Sequence, residues 1–185
     1  MPVIAASEIH GLAATCDKQL KTALSQWLDS PPRRIDRLIL QCLLAAAPLK
    51  NQVRNNCGLY LASAHPARAT MGALLEAVCV QHKQPKPFEF VNSVSNAAGF
   101  HIAQQLGIDG PNLFIGAGEQ VWAQLQALAN LDLRDGLIEQ ALLLVCDERG
   151  DFCVQAVLLE GATNAAPAID FAGLSSGVEV QRINL

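Results

Sequence analysis

Apolar positions along this 185-residue chain alternate between two periods. Leu20, Leu24 and Leu28 recur at helical spacing and predict a helix within Leu12 to Leu28. Asp29 to Pro32 (DSPP) ends it, because proline cannot continue a helix. Arg33 to Ala47 reads as a second helix with Ile35, Leu38, Ile39 and Cys42 as its apolar stripe. Ala67 to Gln81 reads as a third, with Met71, Leu74, Leu75 and Val78 on one side. Ser95 or Asn96 is placed to cap a helix running to Leu106. Glu119 to Ala129 is a further helix, with Glu119 in the first turn, where negative charge is favoured. Short apolar runs at Val3–Ala6, Cys57–Ser63, Leu113–Ala117 and within Leu137–Cys146 predict strands. Phe88 to Val94 reads as an extended, irregular stretch after a loop at Lys83–Pro87. Asp147 to Asp151 is a hairpin turn into an antiparallel return, Phe152 to Glu160. Gly161 to Ala168 reads as a loop, and Val178 to Leu185 as a terminal strand. Strands alternating with helices predict a single α/β domain over residues 1–185. Its sheet is mixed, mostly parallel and five-stranded, with helices on both faces and an antiparallel edge strand.

Composition narrows the function classes. Hydrophobic residues are 51% and charged residues 16% of the chain, too apolar for disorder. A net charge of −4 lacks the basic footprint that nucleic acid requires. The longest apolar run, Leu38 to Leu49, is interrupted by Gln41 and Pro48 and falls short of the roughly 18 residues of a membrane span. No basic segment precedes an apolar stretch at the N-terminus, so the expected location is cytoplasmic. So few charges leave apolar surface after folding, the mark of a partner site. The six cysteines include no CxxC pair, and His10, His65, His82 and His101 do not cluster near them in sequence. No metal site and no cofactor is therefore expected, and the cysteines read as buried, reduced residues. Lys50 and Arg54 near Cys57 could lower its pKa, but a buried strand thiol is inert. Trp27 and Trp122 read as packing or interface residues.

One stretch carries more. Pro87 to Leu128 places Pro87-Phe88, Asn96–Gly99 (NAAG), Gly107–Asn112 (GIDGPN) and the strand Leu113–Ala117 in the order and spacing of the N-terminal half of a β-ketoacyl synthase. The chain resembles that thiolase-fold family over roughly residues 33–160. Pro32–Ile35 (PRRI), Gly58–Ser63 and Leu142–Cys146 match further family segments. The resemblance implies a thiolase-like half fold, with the family's C-terminal half absent. At the strand-to-helix turn the family carries a nucleophilic cysteine, whose thiolate the helix N-terminus stabilises. Here no cysteine lies between Cys79 and Cys146, and the spacing lands on Glu119, or on Gln120 if one residue is inserted. Chain length factors, the inactive partners of ketosynthases, typically have glutamine at this turn, and Gly118–Gln120 (GEQ) is close to their signature. The family's later histidine motifs are absent, and no histidine follows His101.

The resemblance thus implies a non-catalytic, chain-length-factor-like subunit, inactive on its own. It would stabilise a full-length ketosynthase of a bacterial type II fatty-acid or polyketide system, with aryl polyene pathways as the setting, and meet acyl carrier protein only indirectly. The strand Leu113, Phe114, Ile115, Gly116 would pair across the pseudo-two-fold axis. Phe88, Phe90, Phe100 and His101 would lie towards the end of the acyl tunnel, with Phe100 as its plug. Two other readings stand beside this one. The chain could be a malonyl-carrier-protein decarboxylase using Glu119 or Gln120, or an unrelated α/β binding protein.

Overall fold

The computed structural model describes residues 2–147, 150–162, 169–171, 173–176 and 178–185. The strands are β1 (Val3–Gly11), β2 (Cys57–Ser63), β3 (Asn112–Gly116), β4 (Gln140–Asp147), β5 (Phe152–Glu160) and β6 (Val180–Asn184). The helices are α1 (Asp17–Leu24), α2 (Arg37–Ala46), α3 (Arg68–Leu75), α4 (Pro87–Asn92), α5 (Ala97–Leu106) and α6 (Val121–Arg134). They build one six-stranded sheet in the order β3-β2-β4-β5-β1-β6. Pairs β2–β3, β2–β4 and β1–β6 are parallel, and β4–β5 and β1–β5 antiparallel. The mixed, mostly parallel α/β architecture holds, with two differences. Among the described residues there are six strands rather than five, and the antiparallel return β5 lies inside the sheet rather than at its edge. The cause is β1, which runs to Gly11 and pairs along β5 from Leu159 to Phe152, covering the side expected to be free.

Strand β2 is buried at every position. Leu59 and Leu61 enter the core under α1, α2 and α5, while Tyr60 and Ala62 enter the core under α6. Helices cover both faces of a parallel segment, so its strands read as continuous apolar runs. The β2-to-β3 and β3-to-β4 crossovers step in opposite directions. A right-handed crossover therefore puts α5 on one face and α6 on the other. Helix α2 is buried from Leu38 to Ala46 because it lies between the sheet and its neighbours α1 and α5. Asp36 caps it by accepting from the Leu38 amide at 2.7 Å, and Thr70 donates to the same carboxylate. Tyr60 donates to Asp132 Oδ2 at 2.5 Å, fixing α6 over β2.

Three further expectations change. Phe88–Val94 is not extended: Pro87 opens α4, and Glu89 Oε2 accepts from the Lys86 amide at 3.0 Å. Proline at the first helical position with an acid two residues on is a helix-start signal in its own right. Helix α3 stops at Leu75 and continues as a wider turn over Glu76–Val80, and neither segment has a buried residue. The first helix begins at Asp17, so Leu12 to Cys16 lies outside it. The 147–151 turn falls partly, and the 161–168 loop largely, outside the described residues. Among those described, no helix is long and apolar enough to cross a membrane.

Candidate functional site

Because β2, β3 and β4 are parallel and in register, Ser63, Gly116 and Cys146 end side by side. Strand order reverses here, and such carboxyl-end crevices are where open α/β sheets take ligands. A cleft of about 370 Å³ opens at this point, lined by Ala64, Ala117, Gly118, Glu119, Val121, Val145, Cys146 and Asp147. The Ala117 amide donates to the Ser63 carbonyl at 3.1 Å, and the chain then turns into α6. Helix α6 starts at Val121, with Gln120 at the cap. Glu119 therefore sits in the turn and lines the cleft instead of lying in the first helical turn. Gln120 does not line it.

Of the six cysteines, Cys42, Cys146 at this end of the sheet and Cys57 at the opposite end of β2 are buried as expected, whereas Cys153 is half-buried and Cys16 and Cys79 are exposed. Cys146 is 2% exposed, its Sγ 3.9 Å from Gln41 Oε1. Burial pushes the Cys57 thiol up to about 12, which keeps it protonated. Arg54 does not activate it, being engaged with Glu160 at 2.6 Å and Glu139 at 3.4 Å.

The residues that carry the family resemblance have packing reasons. A Cβ on Gly110 would lie 2.3 Å from the Cys57 carbonyl oxygen, so only glycine lets this turn pass the start of β2. A Cβ on Gly99 would meet Asn96 Oδ1 at 2.3 Å and Asn112 Oδ1 at 2.4 Å. Asn96 stands at the start of α5, but its side chain does not cap the helix. Its Nδ2 donates to the Asn112 carbonyl at 3.3 Å and ties α5 to β3.

Strand β3 is one edge of the sheet. The Leu59 amide donates to the Pro111 carbonyl and the Ala117 amide to the Ser63 carbonyl. The alternation of a parallel ladder then turns the backbone groups of Leu113 and Ile115 towards β2 and those of Asn112, Phe114 and Gly116 outward. Phe114 packs against the core, and Leu113 is 42% exposed. On α5, Phe100 is 62% exposed and meets the His101 ring edge-on at 5.3 Å. Burial holds the His101 pKa below its usual value, so the ring is neutral at neutral pH. Phe88 and Phe90 on α4 are also exposed, with the Arg34 guanidinium 5.3 Å from the Phe88 ring. The predicted tunnel residues Phe88, Phe90 and Phe100 thus face outward from this chain. Ten of the fourteen exposed large apolar side chains among the described residues fall between Met71 and Leu113. The Met71, Leu75 and Val78 stripe belongs to this surface, not to the core.

Sequence reasoning missed one cluster. His10 on β1 stands in register with Cys153 on β5, with Glu8 beside them. The polar alternation at Glu8 and His10 was the available signal, but nothing local names the strand that pairs with it. Trp122 packs at 6.2 Å against Phe171, and Trp27 is partly exposed.

No family model matches this chain, and no curated protein matches it. Solved structures do. The chain is similar to the ishigamide ketosynthase/chain length factor, with a TM-score of 0.65 and 14% identity over 77% of this chain and 48% of that one. It is similar to the ketosynthase ApeO in complex with its chain length factor ApeC from Xenorhabdus doucetiae, with a TM-score of 0.64 and 13% identity over 87% of this chain and 79% of that one. A third match is AntDE:AntF, a type II acyl-carrier protein in complex with its ketosynthase, with a TM-score of 0.61 and 12% identity over 85% of this chain and 61% of that one. The chain spans about half the length of the first of these. At such identities the likeness establishes architecture: this chain has the thiolase-like fold of ketosynthase and chain length factor structures.

Proposed function

We propose that this chain is a non-catalytic, chain-length-factor-like subunit that pairs with a full-length β-ketoacyl-carrier-protein synthase. One observation carries the reading: the outward backbone edge of β3 adjoins the segment that holds most of the exposed apolar side chains. An open strand edge beside an apolar surface is a hazard for a free chain and a template for a partner strand. Pseudo-symmetric pairing along Leu113–Gly116 covers both. The structures of similar fold that are complexes of ketosynthases with chain length factors support this choice of partner.

The turn before α6 supports a non-catalytic role. Glu119 stands where the family places its nucleophile. A carboxylate there does not hold an acyl thioester, and neither does the amide of Gln120 at the start of α6. Glu119 and Asp147 both line the cleft and would repel a malonyl carboxylate, which disfavours the decarboxylase reading. The partner performs condensation on chains delivered by acyl carrier protein, in a cytoplasmic polyketide or fatty-acid system of the aryl polyene kind. This subunit supplies the dimer surface, with Phe100 at the tunnel end. Co-expression with a ketosynthase from the same organism, followed by size-exclusion chromatography, is the test. A stoichiometric heterodimer is expected. A monomer that stays soluble and ignores the ketosynthase refutes the reading.

A further inference from the structure

Residues two apart on a strand share a face, so Glu8 and His10 project together from β1. Cys153 projects beside them from β5, in register with His10. A carboxylate oxygen, an imidazole nitrogen and the thiol sulfur all lie within 4.8 Å of one another. Glu8 Oε2 is 3.3 Å from His10 Nε2. The Glu8 side chain is 14% exposed and that of His10 51%, so the group is anchored at its base and open at its mouth. Gln155 donates to Glu8 Oε1 at 2.6 Å and leaves Oε2 turned towards the imidazole. Hydrogen bonds of this kind orient metal-binding carboxylates.

We propose that Glu8, His10 and Cys153 bind a divalent d-block cation of the zinc class, with a fourth coordination position open. The mixed nitrogen, oxygen and sulfur donors suit a borderline-soft ion. Metal–ligand bonds of about 2.0–2.3 Å put tetrahedral ligands roughly 3–4 Å apart, so side-chain rotations alone close the set. Carboxylate and thiolate together balance the double positive charge, and the thiol proton passes to solvent as the metal binds. The backbone needs no rearrangement, since β1 and β5 pair in continuous register from Ala5 to Gly11, on both sides of the three ligands. Arg182, on β6, lies 3.5 Å from Glu8 Oε2 and competes with the metal for that oxygen.

The test uses the full chain with the exposed thiols Cys16 and Cys79 replaced by serine, titrated with Co²⁺ as a spectroscopic probe and then with Zn²⁺. A sulfur-to-cobalt charge-transfer band saturating at one equivalent, and bleached by zinc, is expected. Cys153→Ser removes the band. His10→Ala, at an exposed position that leaves the core intact, weakens binding about tenfold or more. Arg182→Gln tightens it by removing the competing cation. A band that survives Cys153→Ser, or an affinity indifferent to both His10→Ala and Glu8→Gln, overturns the site.

Discussion

Gly116→Pro separates the β3 edge from every other part of the proposed interface. The Gly116 amide faces away from β2, so proline removes no hydrogen bond within the chain. A Cβ at this glycine meets nothing within 4 Å. Edge strands tolerate proline where the lost N–H faces outward. The isolated chain should therefore change by no more than about 0.5 kcal/mol, a melting shift of about 1–2 °C for a chain of this size. In a strand-paired heterodimer the same substitution removes a donor and leaves the partner's carbonyl unpaired, at about 1–3 kcal/mol. That is about 5- to 150-fold in Kd. Differential scanning fluorimetry of the chain and titration calorimetry with the ketosynthase measure the two quantities. An unchanged Kd would show that β3 does not pair across the interface. A melting temperature lowered by several degrees would show that the Gly116 amide is used within the chain.

Phe100→Ala in the reconstituted pair should lengthen the products read by mass spectrometry, and an unaltered distribution from an intact complex removes Phe100 from the tunnel. Gly110→Ala forces a Cβ against the Cys57 carbonyl and should cost about 1–3 kcal/mol, read as a melting temperature several degrees lower; a shift under one degree would contradict the close approach. Burial lowers the His101 pKa, so the unfolded chain takes up the proton first as pH falls below about 6.5. His101 therefore contributes no pH dependence above that value and a progressive loss of stability below it. His101→Gln should flatten that part of a melting-temperature profile, and an identical slope in both proteins would count against the assignment.

The exact match of β2 to Cys57–Ser63 and of β5 to Phe152–Glu160 shows what local pattern can fix. Both strands are bounded by turn residues and bury enough apolar side chains to be read without knowledge of their neighbours. The turn motifs were legible too, because close approaches such as Gly110 to Cys57 admit few residue types. Helix α4 was missed although its proline and glutamate announced it.

By itself the sequence determined the alternation of strands and helices, the glycine turn before β3, and the absence of a thiol from the turn before α6. Tertiary structure alone decided that β5 is interior, that Met71, Leu75 and Val78 face outward, that Glu119 rather than Gln120 reaches the cleft, and that His10 meets Cys153. Periodicity tells which residues share a face, but not whether another element covers that face. Strand pairing between residues more than a hundred positions apart is set by the whole sheet, whose register no local pattern records.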